Sequence, residues 1–94
     1  MATFIMFGKY ASESIKGISA QRTEKAGKII EKHGGMLKEA FALLGETDLI
    51  LIVDFPDIQA AMKASLALNK LTGISFSTLP AVSVDEFDNL VKEV

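Results

Sequence analysis

Two apolar runs, Met36–Leu44 and Leu49–Phe55, are joined only by Gly45-Glu46-Thr47-Asp48. Parallel neighbours need a crossover of about a dozen residues, so a link this short makes the two runs an antiparallel hairpin. Every other segment has to be arranged around that hairpin.

Upstream, Thr3–Tyr10 is rich in β-branched and aromatic residues and too short for a helix, so it reads as a strand. Ala11–Gly17 reads as irregular, with turn-prone Ser12, Ser14 and Gly17. A helix is expected from about Ser19 to His33, burying Ala26, Ile29, Ile30 and His33, with Ile15 and Ile18 covering its approach. Gly34-Gly35 stops it, because glycine accepts the left-handed conformation that follows a helix end. Lys38 and Glu39 interrupt Met36–Leu44 and mark it as the less buried arm of the hairpin, whereas Leu49–Val53 is continuously apolar. Downstream, Pro56 is expected in the first turn of a second helix, where its missing N–H costs nothing, with Asp57 near the positive end of the dipole. The predicted inward stripe is Ile58, Ala61, Met62, Ser65, Leu68 and Leu71, ending at Thr72-Gly73. Ile74–Val82 reads as a last strand, and Pro80 puts its end at a sheet edge or bulge. Ser83-Val84-Asp85-Glu86 has capping-box spacing and opens a short final helix carrying Phe87, Leu90, Val91 and Val94.

The element order is therefore β-α-β-β-α-β-α. Right-handed crossovers on either side of the hairpin favour a split β-α-β arrangement: an α+β, ferredoxin-like fold with strand order 4-1-3-2 and an extra C-terminal helix. That order puts the two most continuous apolar strands in the centre. The strands interrupted by Lys38 and Glu39, or by Ser75, Ser77 and Pro80, fall at the edges. With 94 residues, 1–94 is expected to form one domain, and a compact chain of this mass buries roughly 64% of its extended surface.

Two helices cover one face of such a sheet. Side chains alternate along a strand, so one set in the central strands is Phe4, Met6, Leu49, Leu51 and Val53, and the other is Ile5, Phe7, Ile50 and Ile52. Whichever set points away from the helices, at least four large apolar side chains face outward. Leaving them in water forgoes about 6–12 kcal/mol of burial, which rivals the net stability of a small domain. The hydrophobic content of 49% and the mean hydropathy of +0.30 agree that part of the surface meets another chain. The final helix is one candidate to cover part of this face. A second copy stacked sheet to sheet is the commoner solution among soluble proteins, so the expected partner is the chain itself, as a homodimer or higher oligomer.

At this point the chain resembles the GYD family, small prokaryotic proteins of unassigned role in the dimeric α+β barrel group. The likeness rests on Gly8-Lys9-Tyr10, Gly34-Gly35, Gly45-Glu46-Thr47-Asp48 and Phe55-Pro56-Asp57 and covers nearly the whole chain. Of the family signature Gly, variable, Tyr, Asp, the positions Gly45 and Asp48 match and Thr47 replaces the tyrosine. The resemblance implies a ferredoxin-like dimer, a dimeric α+β barrel, with no agreed activity.

Composition narrows the chemistry. The chain has no cysteine, which excludes disulfides, thiolate catalysis and Cys-ligated metal centres. The formal charge is −2 and Arg22 is the sole arginine, so no basic face for nucleic acid is expected. Lys25, Lys28 and Lys32 form a helical stripe interleaved with Glu24 and Glu31, a solvated face. The strand Asp48–Asp54 lacks the aromatic and basic residues of an RNA-recognition sheet. Paired cysteines for a metal chaperone and an arginine cradle after the first strand, as in an acylphosphatase, are also absent. Met1–Phe7 lacks a basic leader and nothing is long enough to span a bilayer, so a cytoplasmic protein without membrane association is expected.

The lone His33 suits the negative end of a helix, and one histidine does not make an ordinary zinc site; no metal and no cofactor are expected. Lys9, Tyr10 and Asp48 should meet at one sheet end, where they are the candidate ligand-binding anchors of an apolar pocket. The simpler structural reading is a solvated lysine, a packed tyrosine with a wet hydroxyl, and an aspartate bonding its own turn. No paired carboxylates, nucleophile elbow or phosphate loop mark a catalytic centre. The leading expectation is a homodimeric binding or accessory domain, with a small apolar ligand between the sheets. The alternatives are a cofactor-independent monooxygenase- or isomerase-like enzyme using Lys9, Tyr10 and Asp48, which rests on fold analogy, and a metabolite-sensing regulatory module.

Overall fold

A computed structural model describes all 94 residues. In chain order the elements are β1 (Ala2–Lys9), α1 (Ser12–Lys16), α2 (Ala20–Lys32), β2 (Met36–Ala42), β3 (Leu49–Phe55), α3 (Ile58–Thr72), β4 (Ser75–Ala81) and α4 (Val84–Lys92). The four strands form one antiparallel sheet ordered β2-β3-β1-β4, the ferredoxin-like arrangement.

The register decides which face is which. Phe4, Met6, Leu51, Val53 and Phe55 point under the helices and are buried with Ile30 of α2 and Ala61, Ala64 and Leu68 of α3. The Phe4 and Phe55 rings meet edge to face at 6.0 Å, a favoured aromatic geometry. Ile5 pairs with Ile52 and Phe7 with Ile50 on the opposite face, where all four are only half-buried.

Several expectations are corrected in detail. Ala11–Gly17 contains α1, because the Ala11 N–H donates to Ser14 Oγ and the Ala11 carbonyl accepts from Ser14 and Ile15. That is enough to close one helical turn. Ser14 is fully buried, while Ile15 and Ile18 stand exposed and cover nothing. β2 ends at Ala42, leaving Leu43 and Leu44 in the link. Pro56 precedes α3, and Asp57 is its N-cap, accepting from the Ala60 N–H at 2.7 Å. The inward stripe of α3 is Ala61, Ala64, Leu68 and Thr72, while Ile58, Met62 and Leu71 are exposed. Phe4, Met6 and Phe55 rise from the sheet and fill the interlayer volume, so the helix lies close by presenting alanines to them.

A bulge sits in β2 between Leu37 and Glu39. Leu37 pairs with Val53 and Ala40 with Leu51 on the helix side, while Glu39 pairs with Ile52 and Phe41 with Ile50 on the open side. The extra residue, Lys38, reaches Asp54 at 3.5 Å. The less buried arm expected from Lys38 and Glu39 is exposed along its whole length, and the bulge changes the facing within this edge strand.

α4 is capped by Ser83, whose Oγ accepts from the Glu86 N–H at 3.1 Å. The helix buries none of its residues, and Phe87, Leu90 and Val91 remain exposed along one side. It therefore leaves the open sheet face unclosed, with only Glu86 of the helix lining a hollow on that face. No helix is long and apolar enough to cross a membrane.

Candidate functional site

The end of β1 and the start of β3 bring Lys9, Tyr10 and Asp48 together. Asp48 Oδ2 accepts from the Tyr10 N–H at 2.8 Å and lies 3.6 Å from Lys9 Nζ. The Asp48 N–H donates to the Gly8 carbonyl, and its own carbonyl accepts from Leu43. One residue thereby ties the ends of β1, β2 and β3. Asp48 spends its carboxylate on Tyr10 and Lys9, not on its own turn as the simpler sequence reading had it. Lys9 Nζ also donates to the Gly45 carbonyl at 3.4 Å. Gly45 has φ +153°, a conformation open essentially to glycine alone.

Neither Lys9 nor Asp48 lines a cavity. Tyr10 does: it is part of the lining of a hollow of about 130 Å³ between α2 and the sheet. Leu37, Ala40, Leu49 and Leu51 form the sheet side, Ala26 and Ile30 the α2 side, and Leu68, Ile74 and Phe76 the far wall. The polar side chains are Tyr10, Arg22, Thr23 and Thr72. Thr72 donates to the Leu68 carbonyl at 2.7 Å and accepts from the Ile74 N–H at 3.0 Å. Thr23 donates to the Ser19 carbonyl at 3.2 Å. Both hydroxyls are committed to the protein, so the free polar chemistry is the Tyr10 phenol and the Arg22 guanidinium.

Arg22, the sole arginine, carries no motif in the sequence that marks it for a site. Ser19 caps α2 by accepting from the Arg22 N–H, which puts the arginine in the first helical turn. Its Nη1 donates to the Ser14 carbonyl at 2.5 Å. The available signal was its position, since a cation at the positive end of a helix is electrostatically misplaced.

A second hollow, about 580 Å³, lies on the open face between α4 and the sheet, bounded by Met1, Thr3, Ile5, Ile52, Val82 and Glu86. Nearby, Thr3 Oγ1 donates to Asp54 Oδ1 at 2.6 Å. That hydrogen bond, then Lys38, holds the Asp54 carboxyl below the ordinary carboxylate range against an opposing contribution from burial. His33 closes α2 with Nδ1 3.0 Å from the Ile29 carbonyl. No three His, Cys, Asp or Glu side chains gather closely enough to hold a metal ion.

Residues 4–91 match the GYD domain. The chain belongs to the GYD family. Within the matched span, Gly45 makes the turn, Asp48 ties three strand ends and holds the Tyr10 backbone, and Thr47 stands half-buried between them. No curated protein and no solved structure matches the chain.

Proposed function

We propose that this GYD domain is a homodimeric small-molecule-binding domain, in which two copies close helix-free face to helix-free face and each retains the cavity under α2. The observation that carries this reading is the open face: Ile5, Phe7, Ile50 and Ile52 at its centre, flanked by Phe41 and Leu79 on the edge strands, while Phe87, Leu90 and Val91 of α4 are exposed as well.

Size supports it. The accessible surface is 6519 Å², whereas a compact monomer of this mass exposes about 5,300 Å². The Cα radius of gyration is 14.2 Å, against about 12.4 Å for a compact chain of this length. The excess of about 1,200 Å² per chain, doubled across a two-fold axis, falls in the range of obligate homodimer interfaces. Charge leaves the centre clear: Lys9, Glu39 and Asp54 lie around the apolar patch, in the position of a polar rim.

The lining of the cavity is suited to holding and orienting a ligand: hydrocarbon walls, two hydroxyls already bonded, one phenol and one guanidinium. Light scattering of the native protein at micromolar concentration tests the assembly, with a mass of twice 10.1 kDa expected. A monomer at that concentration overturns the reading.

A further inference from the structure

We infer that the cavity under α2 is selective for a small monocarboxylate with a compact, flat apolar body, its carboxylate on Arg22 and its body among Ala26, Ile30, Leu51 and Leu68. This deepens the binding role proposed above and rests on it.

The cavity size sets the body. About 130 Å³ is close to the apolar cavities that admit a benzene ring. The threonine hydroxyls are satisfied within the protein, and no buried side-chain polar atom lacks a partner. The interior therefore asks for hydrocarbon, and a polar group there would be dehydrated without compensation.

Arg22 sets the charge. The ion pairs of the chain are Lys9–Asp48, Lys28–Glu24 and Lys38–Asp54, so Arg22 has no carboxylate partner. It sits in the first turn of α2, which carries no acidic residue. The positive helix end and the guanidinium therefore add, where natural sequences ordinarily place acids. The guanidinium is held in place: Nη1 donates to the Ser14 carbonyl, and a Cβ at Gly17 would lie 2.9 Å from that nitrogen. Guanidinium offers five N–H donors in a planar fork, so one bond to Ser14 leaves most of the fork to receive a carboxylate. A single fixed cation matches a single negative charge. Tyr10, whose backbone N–H is held by Asp48, lines the same cavity.

The test titrates the full chain with benzoate and with its neutral isostere benzamide, reading amide and methyl NMR shifts of the residues lining the cavity. Benzoate is expected to bind about 10- to 100-fold more tightly than benzamide, as for a charge-assisted hydrogen bond pair. In Arg22→Gln that preference should vanish while benzamide binding persists. Should Arg22→Gln lose the fold, Gly17→Ala displaces the guanidinium and should shrink the preference in the same way. Equal binding of benzoate and benzamide by the native chain, or a preference unchanged in a folded variant, overturns the inference and leaves the cavity as a site for neutral ligands. Binding of neither compound overturns the small-molecule role as well.

Discussion

Ile5→Asp places a carboxylate at the middle of the open face, between Ile52 on β3 and Leu79 on β4. In one protomer Ile5 is half-buried, so covering its remaining apolar surface contributes about 1 kcal/mol per copy, a fraction of full isoleucine burial. A carboxylate in its place must also be dehydrated, at a cost of at least about 2 kcal/mol per copy. Two-fold symmetry applies both effects twice, for a loss of about 6 kcal/mol, or about a ten-thousand-fold rise in dissociation constant. Within the separate protomer the new charge still faces water, so its folding cost is of the order of a β-propensity change, about 1 kcal/mol. Sedimentation equilibrium over nanomolar to millimolar protein, with circular dichroism on the same samples, separates loss of pairing from loss of fold. Ile5→Val removes one methyl group per copy and should shift dissociation about tenfold or less. An Ile5→Asp chain that stays folded and dimeric with the native dissociation constant would refute the claim that this face is covered.

Three further outcomes follow from single contacts. In Gly35→Ala the new Cβ would lie 2.5 Å from Phe55 Cε1 and 2.9 Å from Ile30 Cγ2, both in the buried core; overpacking of about 1–3 kcal/mol should lower the melting temperature by at least about 4 °C, and an unchanged melt contradicts it. Asp48→Ala strips the Tyr10 N–H of its acceptor and Lys9 of its ion-pair partner, leaving Lys9 only the Gly45 carbonyl, so the urea midpoint should fall by the equivalent of about 1–3 kcal/mol and the Tyr10 ring resonances should shift. Asp54 has its pKa lowered from 3.8 by the Thr3 hydrogen bond first and Lys38 next, so the stability it contributes is present above the unfolded value and lost as pH falls through the lower folded value. The difference in urea midpoint between the native chain and Asp54→Asn should therefore be widest near neutral pH and close below 3.8; a gap that widens in acid would reverse the assignment.

Much of the fold was legible because its signals are local. The short link between two apolar runs required a hairpin, and the order of strands and helices left one economical topology. Edge strands declared themselves through Lys38 and Glu39 in the middle of one run and through Pro80, which cannot donate to a central ladder, in the other. The facing of the central strands was left open, yet a clue was present: Thr3, Lys9 and Asp54 share the parity of Ile5, Phe7, Ile50 and Ile52. Those polar ends cannot be buried under helices. In α3 the expected Ala61 and Leu68 are buried, but hydropathy favours Ile58 and Met62 over Ala64 and Thr72, whereas the space left by Phe4, Met6 and Phe55 favours the small residues.

The candidate site divides along the same line. That Lys9, Tyr10 and Asp48 would meet follows from pairing β1 with β3, which is a property of topology. That only Tyr10 among them borders a cavity, and that Arg22 joins it from α2, depends on how closely a helix settles on a twisted sheet.

The residue pattern alone therefore determined the strand order, the existence of two greasy sheet faces and the meeting of three side chains at one sheet end. These follow from alternation, chain length and connection length, which act over a few neighbouring residues. Tertiary structure decided which face stays open, which residues α3 turns inward and where the cavity and its guanidinium lie. These depend on the volumes of side chains distant in sequence, and only close packing brings those volumes into competition.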